Sequence, residues 1–228
     1  MKNILISLAI FSAANLAAQN ENTTNYKSEQ LNNIIKVSEV GGSTYFYNPR
    51  REVKGTEYLF DNWDNTAVFT NNEDYKFLVR NVNININYNL IQAKIASDSV
   101  FDFNLNDIKH VVISNKVYKN IYSAKGKRIF EVIYESDKFS IIKGFETEVI
   151  SGSPNPMVNR LKDQIVRRKT VYLKSGSDIL PFRLSKSKIL KLFNDNPKRA
   201  AKIAELMKSR RMSYKNEEDL KKVLQFTE

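Results

Sequence analysis

A chain of 228 residues, with 42% hydrophobic and 11% aromatic side chains, is long enough for one large packed domain and too short for a multidomain machine. Seven Gly and five Pro exclude collagen-like, Pro-rich and Gly-loop classes, and 27% charged residues exclude a wholly membrane-embedded chain. With no Cys and one His, these residues provide no disulfide framework, zinc–cysteine or iron–sulfur centre, thiol nucleophile, lipid-modified cysteine or multi-histidine metal site within one subunit.

Lys2, the apolar run from Ile4 to Ala14, and the small residues Ala13, Ala14, Ala17 and Ala18 follow the charge, core and cleavage-site order of an export signal. Residues 1–19 are read as that signal, with cleavage between Ala17 and Gln19. Its core is shorter than the roughly 20 apolar residues of a membrane-spanning helix, and no later window resembles a span. The mature chain is expected in the periplasm, secreted, or peripheral to the outer membrane. Residues 20–38 form a polar leader, either flexible or one short helix.

From 39 to 184 the chain reads as an antiparallel β domain. Between Asn81 and Leu90, Val82, Ile84, Ile86, Tyr88 and Leu90 alternate with asparagines, which predicts one half-buried strand with its amides outward. Tyr58 and Phe60, then Tyr75 and Phe77, repeat the period of two. Further strands are predicted over 108–113, 117–122, 129–134, 139–145, 170–174 and 179–184. Short polar turns separate them, at Ser114-Asn115-Lys116, Ala124-Lys125-Gly126-Lys127, Ser136-Asp137-Lys138 and Ser175-Gly176-Ser177, as a meander requires.

The turn-rich segment Ser151 to Pro156 marks a change of composition. Residues 1–158 carry about 17 Lys and Arg against about 17 Asp and Glu, whereas 159–228 carry about 19 against about 8, so nearly all of the +11 net charge lies in the last third. Residues 185–228 read as a basic helical appendage. Ser185, Asn196 followed by Pro197, and Asn216 followed by Glu217, Glu218 and Asp219 are its three helix starts. Ala200, Ile203, Ala204, Leu206 and Met207 form the apolar stripe of the middle helix. The fold class is therefore α+β: mainly an antiparallel meander, open sheet or roll, followed by a small C-terminal helical region.

Chemistry-bearing patterns are sparse. Ser185 to Lys188 and Ser140 to Lys143 fit S-x-x-K, and Lys174-Ser175-Gly176 resembles K-[ST]-G, but the order is inverted relative to penicillin-recognising serine enzymes and the middle S-x-N element is missing. The competing reading is a helix cap and solvated lysines. His110, a candidate triad base, lies on a predicted strand with Ile108 and Val112 on its own face and reads better as a packed histidine. Asp61, Asp64, Asp98, Asp102 and Asp107 include acid–base or calcium candidates, yet no spacing selects a pair. No dinucleotide or phosphate-loop sequence occurs, so no cofactor is expected.

Binding is favoured over catalysis. The candidate binding residues are Arg160, Lys162, Arg167, Arg168, Lys169, Lys198, Arg199, Lys202, Lys208, Arg210 and Arg211, which would attract an anionic glycan, lipid headgroup or acidic envelope protein. A solvated surface is the competing reading. The faint helix-turn-helix look of the chain end does not make nucleic acid an expected partner of an exported protein. Tyr45, Tyr47, Tyr58, Phe60 and Trp63 read as sheet interior in preference to a sugar-stacking platform.

The Lys2-led signal, Gly42-Ser43-Thr44-Tyr45, the aromatics around Trp63, Tyr88-Asn89-Leu90, Val171-Tyr172-Leu173, and Leu192-Phe193 ahead of two basic helices span most of the mature chain. Together they resemble uncharacterised exported β-rich proteins of Bacteroidota, a resemblance that brings no catalytic residues with it. Asp98-Ser99-Val100 resembles the short O-glycosylation acceptor used in that group, which implies an exposed Ser99. The expected function is noncovalent binding in the cell envelope. The alternative is a cofactor-free periplasmic or secreted hydrolase.

Overall fold

The computed structural model describes residues 42–46, 53–124, 126–152 and 163–227. The expected export signal, the polar leader and residues 153–156 of the turn-rich segment lie outside the described residues. The β-rich runs form β1 (Gly42–Phe46), β2 (Ala67–Asn71), β3 (Lys76–Val79), β4 (Val82–Asn85), β5 (Leu90–Lys94), β6 (Ser99–Phe103), β7 (Ile108–Ile113), β8 (Lys116–Ser123), β9 (Gly126–Glu135), β10 (Ser140–Ile150), β11 (Gln164–Ser175) and β12 (Asp178–Pro181). They make two open antiparallel sheets: four strands in the order β1-β6-β5-β4, and eight in the order β12-β11-β10-β9-β8-β7-β2-β3. The larger is a meander from β7 to β12 with the β2–β3 hairpin added beside β7. Among the described residues the helices are α1 (Lys186–Lys191), α2 (Pro197–Ser209) and α3 (Glu217–Phe226), none long and apolar enough to cross a membrane.

Turn chemistry sets several registers. Ile113 pairs with Lys116 across Ser114 and Asn115, both at positive φ (50° and 62°), the backbone that matches a tight hairpin to the strand twist. The expected single strand from Asn81 to Leu90 is instead a hairpin. β4 ends at Asn85, the chain reverses through 86–89 with Asn89 at φ 57°, and β5 returns with Asn85 opposite Leu90. Asparagine both tolerates left-handed backbone and bonds locally, so a run that alternates on paper still contains a turn. Nor do the amides of β4 face water. Asn83 is 1% exposed, accepts from the Phe60 N–H at 3.0 Å and donates to the carbonyls of Phe60 and Asn62. The Tyr58–Phe60 segment itself is irregular chain laid over these amides, joined to β4 by an isolated bridge from Tyr58 to Asn85.

Packing follows from one register row. Phe77, Phe69, Val111, Tyr118, Glu131, Lys143 and Val171 are successive partners across seven strands, and directly opposed residues share a face. At one end of this row Phe69 stacks on Phe103 of the four-stranded sheet, centroids 4.3 Å apart, and Tyr118 meets Phe60 edge-on. At the other end Val171 packs with the helices, whose Ile189, Phe193, Ile203, Met207, Leu220, Val223 and Leu224 share a core with Ile133, Tyr134 and Ile141. The helical region is thus docked on the sheet. A bulge at Ile133, where Tyr134 opposes Ile141 but Val132 opposes Ile142, lets two consecutive residues enter that core. A second register shift, near Lys109, turns both Ile108 and Val111 inward, so His110 does not share the buried face of Ile108 as the simple alternation predicts.

Behind the row, on the opposite face, Gly144 lies under the Phe130 and Tyr172 rings, which meet edge-on at 5.9 Å. A Cβ here would stand 3.0 Å from one ring and 3.1 Å from the other. Gly144→Val is expected to cost about 1–3 kcal/mol by forcing both rings aside, seen as a lower urea midpoint with an unchanged slope.

Candidate functional site

The helical region is positioned by local capping. Ser185 Oγ accepts from the Lys188 N–H, Asn196 Oδ1 from the Arg199 N–H at 3.1 Å, and Asn216 Oδ1 from the Glu218 and Asp219 N–H groups. With Ile203 and Met207 turned into the core, α2 presents Lys198, Lys202 and Lys208 outward. Phe226, the last residue of α3, remains 57% exposed. Lys202 Nζ lies 5.5 Å from its ring centroid and Arg210 Cζ 5.0 Å. Neither cation forms an ion pair among the described residues. An aromatic face held between two cations offers an anion both charge and a dry contact.

The other expected binding residues are distributed differently. Arg199 is an interior tie: it donates to Tyr134 Oη at 2.9 Å and to the Leu224 carbonyl at 3.2 Å, with its guanidinium over Phe193. Arg167 pins the irregular segment to the sheet, donating to the Tyr58 and Leu59 carbonyls and to Asp61. Arg168 pairs with Glu148 at 2.8 Å. Lys169, Lys198, Lys208 and Arg211 are exposed, while Arg160 and Lys162 lie outside the described residues. Ser99 is half-buried at the start of β6 and bonds to Asp98 at 3.2 Å.

One charged group was missed by the sequence reading. Lys143 and Glu131, with side chains 6% and 7% exposed, pair at 3.0 Å in the middle of the register row. Glu217, on the first turn of α3, meets the same ammonium, and Lys116 approaches Glu131 at 3.5 Å. Burial opposes the charge on Lys143, but the hydrogen bonds to Glu217 and Glu131 outweigh it and hold the ammonium above the usual lysine range. Burial, and then the charge on Glu131, push the Tyr118 hydroxyl up, so it stays a neutral phenol. The signal was available: Glu131 and Lys143 occupy the inward phase of two predicted strands, between Ile129 and Ile133 and between Ile141 and Phe145.

The catalytic candidates do not converge. Ser185 is spent as a helix cap, Lys174 bonds to the Gly176 carbonyl in an exposed turn, and Ser140 and Lys143 sit at odd spacing on one strand. Burial, then Lys119, Lys109 and Lys76, hold His110 below its ordinary value despite Asp74. Asp61 is taken by Arg167 and Asp102 by Gln92, and no group of three His, Asp or Glu among the described residues is placed to hold a metal. Tyr58 is buried against the half-buried Trp63, centroids 4.8 Å apart, so the Tyr58 ring is not a free platform. The described part of the sheet also has a groove of about 350 Å3, bordered by Phe130, Tyr172, the Arg128–Glu146 pair and Asp178. Comparisons with protein-family models, curated proteins and solved structures give no match.

Lys143→Ala is expected to cost about 3–5 kcal/mol, because it leaves Glu131 buried without its cation, whereas Glu131→Gln with Lys143→Met should recover most of that loss. Because the folded-state pKa of Lys143 is raised, its contribution is present below the ordinary value of 10.5 and lost as pH rises through the folded value. Urea unfolding across alkaline pH should show this loss in the wild type and not in the double variant.

Proposed function

We propose that this chain is an exported protein of the cell envelope that acts by noncovalent binding, using its helical region to hold an anionic glycan, lipid or protein surface. The observation that carries the reading is the convergence of Lys202 and Arg210 on the exposed Phe226. Cations normally found on a solvated face are separated and mobile. Here two are gathered over one ring on a docked helical unit, so little ordering remains to be done when an anion arrives. The charge bias of the last third supports it, and the export signal read in residues 1–19 supplies the location.

Purified protein should bind vesicles containing anionic lipid, or an anionic polysaccharide, with an affinity that falls steeply as salt is raised. Lys202→Gln with Arg210→Gln should weaken binding about 10- to 30-fold, at roughly 1 kcal/mol per cation near an anionic surface. Phe226→Ala should weaken it less. Salt-independent binding, or an unchanged affinity in the double variant, would count against the helical site, and a chain recovered from cells with residues 1–19 intact in the cytosol would remove the export part.

A further inference from the structure

Strand β11 is longer than the partner on its outer side. β12 covers only Tyr172 to Ser175, and the chain then leaves the edge after Phe182, whose N–H donates to the Val171 carbonyl at 2.8 Å. At the other end Lys54 makes an isolated parallel bridge, its N–H donating to the Asp163 carbonyl at 3.0 Å and its carbonyl accepting from the Ile165 N–H at 2.9 Å. The chain turns away at once through Gly55, at φ 98°, where a Cβ would fall 2.4 Å from the Ile165 carbonyl oxygen. It then passes over the sheet face, where Arg167 holds the Tyr58 and Leu59 carbonyls.

Backbone groups of a strand point alternately to its two sides. Asp163, Ile165 and Val171 point outward, so Arg167 and Lys169 do as well. No backbone hydrogen bond among the described residues reaches the N–H or C=O of either from that side. Among the described residues, the gap from Val166 to Thr170 is therefore an open length of edge, about 17 Å long at the rise of an extended chain, presenting two donors and two acceptors. Exposed Lys169 flanks it and exposed Lys54 stands at its end, while Arg167 and Arg168 are already paired with Asp61 and Glu148.

We infer that this edge takes a short extended segment of an acidic partner polypeptide by strand addition, with the backbone supplying affinity and the flanking cations selecting carboxylates. The site is separate from the helical patch and does not depend on it.

The test uses the full chain and a blocked pentapeptide of alternating Glu and Val, against the same peptide with Lys for Glu. Saturating acidic peptide should slow hydrogen exchange at the Arg167 and Lys169 amides by about tenfold or more, and the Lys peptide should not bind. N-methylating alternate peptide nitrogens should abolish binding for the set that faces β11 and spare it for the other set. Lys169→Pro deletes an outward N–H without touching the ladder to β10 and should weaken binding about tenfold, while Lys169→Gln should weaken it severalfold and keep the protection pattern. Absence of binding overturns the inference, as does equal binding of both N-methylated sets. So does binding without protection of Arg167 and Lys169, and if that binding is lost in the Lys202→Gln, Arg210→Gln variant it belongs to the helical patch.

Discussion

A lysine in the middle of a sheet has to bring its own counter-charge, and in this protein that requirement joins the parts. Lys143 lies between Glu131 on the neighbouring strand and Glu217 on the last helix, at the point where the register row passes from the cover of the four-stranded sheet to the cover of the helices. Either cover alone would leave part of the row wet. The desolvation of both ions offsets their attraction, so the buried pair adds little net stability over apolar residues of the same volume. Its stronger consequence is geometric: a helix docked in another rotation would withdraw Glu217 from a cation that has little access to water.

This arrangement also bears on which surfaces are left for partners. The row side of the larger sheet carries the smaller sheet and the helices, while Arg167 and Arg199, two of the most conspicuous basic residues, are consumed in holding those layers down. Among the described residues, two of the features left outward are the cations over Phe226 and the stretch of β11 edge that no backbone group reaches. Both are places where binding requires little rearrangement of the protein. Neither brings a nucleophile, base and orienting group together, and of the hydroxyls in the catalytic-looking fragments Ser185 caps a helix while Ser140 lies on β10.

The legible part of the structure was the part set by neighbours in sequence. Three caps at Ser185, Asn196 and Asn216 and the hairpin turn at Ser114-Asn115 rest on interactions within a few residues and lie where the residues suggested, as does the strand order of the meander. By contrast, β10 and β11 run to Ile150 and from Gln164, beyond the expected 139–145 and 170–174, because they pair with each other across residues 14 to 34 apart. Reading failed where a distant segment decided the outcome. The asparagines of β4 were assigned to water because nothing local shows that residues 57–62 would cover them. The bulge at Ile133 is invisible to a two-residue period by construction. At the candidate site, the basic bias was legible, but the sorting of Arg199 inward and Lys202 and Arg210 outward depended on helix docking. The edge gap on β11 was not legible at all, since it exists only because Gly55 and Phe182 turn away.

The order in which the core is completed has a kinetic side. Ile133, Tyr134 and Ile141 wait for Leu220, Val223 and Leu224, which arrive at the far end of the chain. Contacts of such long sequence separation form late, because the loop between them must be closed before any of its stabilisation is realised. In a nascent chain whose last helix has yet to emerge, the sheet face that receives it would be apolar and open. For as long as the last helix is missing, the same surface that finishes the fold is a place for chaperones, or for other unfinished copies, to bind.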